Sequence, residues 1–242
     1  MSSGPSPTND PSGISKAAPF LTKLAHGSAP FITTFLLIHL SAPVLANVGG
    51  SNLSSQVMLL GREYYQTGFG ERYLLLTPLA VHVASSISKR LVLPRNRPRK
   101  LSSVLSLTAY SALFIFLPIH FVTHRVNPTD PSAPIFAVGP AELDYEFVKV
   151  GLTKFPWRSW ALYAGLVGCV ALHAAEGLNV MRNTWFRSWA GPSAKTRRVL
   201  AGLAVLPVLS GLFAISREPL ITFSSLAGRF EAAFTRSWVY RI

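Results

Sequence analysis

The chain has 242 residues, enough for about one ordinary domain, and 49% of them are hydrophobic, with a mean hydropathy of +0.34. Its net charge is +13, but the basic residues gather in particular loops, which favours a membrane surface over nucleic acid as the partner. A single cysteine, Cys169, excludes an internal disulfide framework.

The N-terminal tail, residues 1–19, is rich in Ser, Pro, Gly and Asn, a composition that predicts disorder because it cannot bury a core. It contains Pro5-Ser6-Pro7, a Pro-x-Pro element of the kind that docks on partners as an extended segment. Chance also explains such a triplet, since the chain has 18 prolines. The first 61 residues contain no Arg, and no charged n-region precedes an apolar stretch. We therefore expect neither a matrix presequence nor a secretory signal.

Five apolar blocks of about 20 residues follow, and this is the length that crosses a bilayer as an α-helix. We therefore expect an all-α, polytopic membrane protein with five transmembrane helices. A soluble all-α protein with buried helices is the alternative. Pro207 interrupts the last block and is expected to kink that helix. The blocks cover about residues 29–48, 72–92, 102–124, 157–180 and 197–216.

Charge alternates between successive loops. The N-terminal tail, the second loop and the fourth loop carry nearly all of the excess positive charge, whereas the first and third loops are balanced. The positive-inside tendency then places the N-terminus in the cytosol and the C-terminus on the far side. The second loop contributes Lys89, Arg90, Arg95, Arg97, Arg99 and Lys100, and the fourth contributes Arg182, Arg187, Lys195, Arg197 and Arg198.

The segment after the last block, residues 217–242, has an amphipathic pattern. Phe223, Leu226, Phe230 and Phe234 follow one another at three- and four-residue steps. This spacing predicts a helix whose apolar face lies on the membrane.

The first four predicted helices form two similar pairs. "IHL" at 38–40 corresponds to "IHF" at 119–121. Both His82 and His173 are followed by three residues, a small residue and then a basic residue at the end of the apolar segment. Residues 20–92 and 101–182 are therefore predicted to be parallel repeats, related by an axis along the membrane normal. Together they form a four-helix core, with the helix at 197–216 as an extra element.

Each of these four helices carries one histidine near the bundle interior. From the helix rise, His39 and His120 lie roughly 24–30 Å from the basic face, and His82 and His173 roughly 10–14 Å from it. Ionisable side chains inside membranes are usually functional, and two imidazoles facing each other at one depth are axial ligands suited to haem iron. The hypothesis is up to two b-type haems, one between His39 and His120 and one between His82 and His173.

Other interpretations of these histidines stay open. Each imidazole can instead hydrogen-bond a neighbouring helix, or the bundle can descend from a haem protein and lack the cofactor. Zinc is disfavoured because neither depth offers three ligands. His26 and His124 lie at span edges and are expected to be solvated, and Glu176 is expected to reach the cytosolic face or to assist His173.

The histidine pattern resembles the di-haem cytochrome b membrane anchor of succinate dehydrogenase and fumarate reductase. That family pairs helix one with three and two with four, and His173-x-x-x-Gly177 is similar to its His-x-x-x-Gly element. The Arg-His pair that often follows there is replaced by Leu178-Asn179. This resemblance implies electron transfer between two haems and a quinone.

Three further stretches carry a second resemblance: "FLLIHLSAPVLA", "LGREYYQTGFGERYLLLTPLAVHVASSISKRL" and "ALHAAEGLNVMR". Over about residues 20–185 the chain resembles the fungal mitochondrial outer-membrane adaptors with a duplicated transmembrane domain. The resemblance implies a non-enzymatic role in lipid homeostasis, with membrane lipids and a vacuolar-sorting lipid-transfer protein as partners. In that family a tail Pro-x-Pro motif recruits the partner, which makes Pro5 and Pro7 the candidate docking residues. We expect this adaptor role, with the di-haem electron-transfer subunit as the alternative.

Overall fold

The computed structural model describes residues 11–92 and 100–241, and over this part of the chain it contains helices and loops but no strand. The all-α class predicted from the sequence is therefore confirmed. Pro5 and Pro7 lie outside the described residues. The predicted disorder over residues 1–19 stays a prediction, and helix α1 (Pro11–Tyr65) begins within this segment, at Pro11. Proline suits the first helical turn, where its missing N–H has no intrahelical partner.

Within the described residues, six further helices follow α1. Helix α2 comprises a π-helical turn, Gly70–Leu76, and an α-helix, Thr77–Val92. Helix α3, Val104–Thr129, contains π-helical turns at Ala112–Phe116 and Val122–Val126. The remaining helices are α4 (Tyr145–Lys154), α5 (Pro156–Trp185), α6 (Ala194–Ser216) and α7 (Ser224–Arg236).

Four helices within the described residues are long and apolar enough to cross a membrane: Ala17–Tyr65, Val104–Thr129, Pro156–Trp185 and Ala194–Ser216. In each helix, only 6–28% of the apolar 18-residue stretch is buried inside the protein, so these apolar faces are suited to lipid. Helix α2 is not among the four. The count of five spans and the repeat therefore stay predictions.

The chain divides into two units, one from residues 1–37 and 64–99 and the other from residues 38–63 and 100–242. In the first unit, the rings of Phe35 and Tyr65 meet edge-on with centroids 5.1 Å apart. A tight turn then leads into α2, where the backbone N–H of Gly70 donates to Oγ1 of Thr67 at 3.0 Å. A side chain at position 70 would collide with the carbonyl of Tyr64, so this turn requires glycine.

In the second unit, the end of the first span packs closely against α6. Gly211 lies against the carbonyl of Pro43, and a side chain at position 211 would overlap it. The side-chain amide of Asn47 also donates to the carbonyl of Pro207 at 2.8 Å. Small residues allow membrane helices to approach closely, and this contact is of that kind.

A folded cap covers one end of the second unit. It consists of the loop at 130–144, helices α4 and α7, and the turn Trp238–Tyr240. Phe147 and Phe234 stack at its centre with ring centroids 4.4 Å apart. The fully enclosed core consists of Ile135, Val138, Phe147, Val150, Phe230, Ala233, Phe234 and Tyr240.

The cap changes the interpretation of the C-terminal segment. The predicted amphipathic helix is present as α7, but Phe230 and Phe234 are both 0% exposed because α4 and the preceding loop cover them. Phe223, just before the helix, is 83% exposed. The buried face of α7 therefore packs against protein, whereas the sequence pattern had suggested that it lies on lipid.

A buried ion network ties the cap to residues 51–62, which the sequence predicted as part of the first loop and which form the C-terminal part of α1. Lys149 is 1% exposed; it pairs with Glu146, lies 3.5 Å from Glu218 and donates to the carbonyl of Pro219 at 2.9 Å. Glu218 in turn accepts hydrogen bonds from the backbone N–H of Ser51, at 2.9 Å, and from its hydroxyl. Carboxylates on both sides of Lys149 thus compensate its buried charge, as buried ammonium groups require.

Two further hydrogen bonds join the first loop to the third. The backbone N–H of Tyr145 donates to the hydroxyl of Ser55 at 3.1 Å. The guanidinium of Arg62 donates to the carbonyl of Pro140 at 2.9 Å. The first loop, the third loop and the C-terminal segment therefore meet in one folded structure.

Candidate functional site

His82 is held by the first helix of its own unit. Its Nδ1 lies 2.9 Å from the carbonyl oxygen of Ala25, and because a carbonyl can only accept, Nδ1 carries the proton. The hydroxyl of Ser28 donates to the same carbonyl at 3.0 Å. The imidazole thus joins α2 to α1 within the membrane-suited part of the chain.

His173 makes the same kind of contact in the second unit. Its Nδ1 lies 3.3 Å from the carbonyl oxygen of Leu105, near the start of α3. Ala25 lies 14 residues before His39, and Leu105 lies 15 residues before His120, so the two accepting carbonyls occupy corresponding positions in the sequence. Each of the two helix pairs is therefore fastened by a histidine on its second helix and a carbonyl on its first.

His39 and His120 lie side by side in the second unit. Their ring centroids are 6.0 Å apart and the rings are nearly perpendicular, at 81°. These are the two histidines that the helix rise placed at one depth on the first and third spans. The sequence hypothesis of an iron between them depends on this separation and on the space around it.

His124 belongs to the same cluster, although the sequence suggested a solvated position at the end of a span. Its ring stacks on His120 with centroids 4.6 Å apart and packs against Phe147 and Phe234 of the cap. Its Nε2 lies 3.2 Å from the hydroxyl of Tyr163. Solvation is therefore the wrong expectation for His124, because the cap encloses the end of α3. The sequence could have indicated this position, because His120 and His124 are four residues apart and such residues share a helical face.

The space beside these rings decides whether the pair fits a haem. Two imidazoles on one iron put their ring centroids about 6 Å apart, given metal–nitrogen bonds of about 2 Å, so the distance is suitable. The cavity that His120 and His124 line with Tyr163 and Tyr240 measures ≈ 10 Å³, enough for about one water. A ligand of porphyrin size needs a pocket of about 300–1,000 Å³. The cavity beside His120 is therefore too small for a haem, but His39 does not line it, and haem binding between His39 and His120 stays a prediction.

The second predicted pair, His82 and His173, belongs to two different units, and each ring is described only within its own unit. Its haem-binding role stays a prediction. Both rings direct their Nδ1–H at a backbone carbonyl, which is also the arrangement that metal-ligating histidines use to fix their tautomer.

Glu176 has a definite partner in α6. Its Oε2 accepts a hydrogen bond from the guanidinium of Arg197 at 2.8 Å, and only 15% of each side chain is exposed. The carboxylate therefore joins α5 to α6 and is neither directed at His173 nor extended into solvent. Sequence reasoning missed this pairing because the two residues lie in different predicted elements.

No family model matches the chain, and neither the curated proteins nor the solved structures contain a match for it.

Proposed function

We propose that this chain is a multi-pass adaptor of the mitochondrial outer membrane, which anchors a lipid-transfer protein through its N-terminal tail at a contact between organelles. The observation that carries the proposal is the use of the histidines. His82 and His173 each fasten a helix pair through a backbone carbonyl, and His120 and His124 pack against the cap. These contacts hold each helix pair together, as a membrane anchor requires.

A five-span topology is part of this proposal, and the cap supports it. Ser51 and Arg62 of the first loop contact the C-terminal segment and the third loop, so these three segments share one side of the membrane. The chain between the first and third loops must then cross the bilayer an even number of times. Because α3 is one crossing, α2 supplies the other, despite its lower apolarity.

In this topology the N-terminal tail, the second loop and the fourth loop lie on the side of the membrane opposite the cap. The positive-inside tendency makes that side cytosolic, which is where a tail must be exposed to recruit a soluble partner. The address in the outer mitochondrial membrane, the partner class and the docking role of Pro5 and Pro7 rest on the family resemblance.

The docking role is tested by replacing Pro5 and Pro7 with Ala and following recruitment of the fluorescently labelled lipid-transfer protein to mitochondria. Replacing Ser3 and Thr8 with Ala changes the same tail without altering the Pro-x-Pro element and is the matched control. We expect loss of recruitment only in the proline variant, with the anchor itself still in the membrane. Equal recruitment by both variants would remove these prolines from the proposal.

The second candidate function is a di-haem electron-transfer subunit. The observation that favours it is the 6.0 Å separation of the His39 and His120 rings, which suits two ligands on one iron. The ≈ 10 Å³ cavity beside His120 disfavours it. When bound, haem b would supply one-electron transfer, and His39 and His120 would hold it.

A further inference from the structure

We propose that residues 182–198, called here the basic loop, bind the anionic phospholipid headgroups of the leaflet in which the loop lies. The basic loop joins α5 to α6 and includes the first turn of α6. The proposal rests on the suitability of these two helices for crossing a membrane, and it is independent of the adaptor role.

Two arginines hold the conformation of the basic loop from inside. Arg182 donates to the carbonyl of Trp189, and a side chain at Gly191 would collide with the Arg182 guanidinium. Arg197 donates to the carbonyl of Pro192 at 2.9 Å and to Glu176. These two cations are therefore engaged by the protein, and they give the basic loop a defined shape.

The other three cations of the basic loop, Arg187, Lys195 and Arg198, are exposed. Exposed aromatic side chains lie among them: Trp185 is 48% exposed and Trp189 66% exposed. Tryptophan prefers the boundary between headgroups and acyl chains, and Lys and Arg near that boundary attract anionic lipids. The combination presents positive charge and interfacial aromatic groups at one end of two membrane helices.

The short length of the basic loop favours lipid over a soluble partner. Only residues 186–193 separate the end of α5 from the start of α6. An extended chain spans about 3.5 Å per residue, so this segment reaches at most about 14 Å from the helix ends before it must return. The exposed cations therefore stay within the headgroup region and its ionic atmosphere.

The test uses the full-length chain purified in mild detergent, to which phosphatidylglycerol or phosphatidylcholine is added. Native mass spectrometry counts the lipid that stays bound. The variant replaces Arg187, Lys195 and Arg198 with Gln, and the matched control replaces three exposed cations outside the basic loop, Arg72, Lys154 and Arg217, with Gln.

We expect the wild type and the control to retain phosphatidylglycerol in preference to phosphatidylcholine. The basic-loop variant should lose this preference, by about fivefold for each cation removed. Equal retention of the two lipids by the wild type, or an unchanged preference in the basic-loop variant, would overturn the proposal.

Two further measurements on the wild type do not depend on the folding of any variant. Raising the salt concentration from about 0.05 M to about 1 M should release phosphatidylglycerol, because screening weakens surface electrostatics. Retention that is independent of salt would contradict the proposal. Inorganic phosphate at the lipid concentration should not displace phosphatidylglycerol, and displacement would show that the basic loop recognises phosphate without requiring a lipid.

Discussion

Glu218 occupies the space beside Gly50 that any larger side chain would need. Gly50 has φ +59° and ψ −155°, a conformation that is essentially restricted to glycine. Gly49 and Gly50 are non-helical and break α1 at this point. Ser51 donates its backbone N–H to Glu218 at 2.9 Å, so this break is fixed to the segment between α6 and α7.

Replacing Gly50 with Ala should therefore destabilise the protein by about 1–3 kcal/mol, from backbone strain and from collision with Glu218. The matched control is Gly202→Ala in α6, where an added methyl group meets nothing within 4 Å and alanine favours the helix. The unfolding midpoints of both variants are measured by thermal unfolding in detergent. A Gly50→Ala midpoint equal to that of the control would show that the break in α1 does not need glycine.

Replacing Lys149 with Met should destabilise the cap by about 3–5 kcal/mol, because Glu146 and Glu218 lose their buried counter-charge. Lys154→Met removes a cation from an exposed pair, in which Lys154 and Glu231 are 51% and 44% exposed, and should cost about 0–1 kcal/mol. Adding Glu146→Gln to the Lys149→Met variant should restore part of the loss. Limited proteolysis of the cap is the measurement, and equal resistance of the two lysine variants would contradict the buried network.

Because of Glu218, the stability of the fold should depend on pH in the acidic range. Burial raises the pKa of its carboxyl, but hydrogen bonds from Ser51 and the charge of Lys149 outweigh this, so the pKa lies below its ordinary value of 4.5. A lowered pKa means that the charged form stabilises the fold above about pH 4.5 and that this contribution is lost as the pH falls through the lowered pKa.

The stability difference between the wild type and Glu218→Gln should accordingly be constant near neutral pH and shrink below pH 4.5. Unfolding midpoints of both proteins across this range measure the effect. A difference that grows on acidification would reverse the sign argued for Glu218.

Haem binding is decided by absorption spectra of the purified protein, oxidised and then reduced, after expression with added haem. The closed packing of His120 against His124 and the small cavity beside them predict no low-spin haem bands. Bands that disappear in both His39→Ala and His120→Ala, with normal folding of the variants, would show that the helices separate and would favour the electron-transfer function. The matched control for these variants is His26→Ala, which changes a histidine outside both predicted pairs.

The five-span topology predicts opposite sides for the basic loop and the C-terminus. If the protein lies in the outer mitochondrial membrane, as proposed, protease sites inserted at position 188 and after position 242 should be cleaved from different sides of that membrane. In intact mitochondria only the site at 188 should be cut, and the C-terminal site should be cut after the membrane is opened. With the N-terminus in the cytosol, cleavage of the C-terminal site alone in intact mitochondria would leave α2 outside the set of membrane spans. Cleavage of both sites would show that α6 does not cross the membrane.

Apolarity and length predicted the long apolar helices, since the blocks at 157–180 and 197–216 fall inside α5 and α6 and the block at 102–124 begins two residues before α3. Where the pattern was amphipathic, as around Phe230 and Phe234, the sequence indicated a helix with one apolar face but did not identify what covers that face. An apolar helix face has the same residue spacing whether lipid or protein covers it. Only the tertiary structure shows that α4 and its preceding loop cover this face of α7.

The sequence by itself determined the all-α class and the long apolar helices, because these follow from local composition and from a fixed helical rise. Tertiary structure decided the partners. His82 faces Ala25, His124 lies beneath the cap, and Arg197 reaches Glu176. Each of these contacts joins segments far apart in the chain, and neither periodicity nor spacing within one segment carries information about the neighbour that a polar side chain meets.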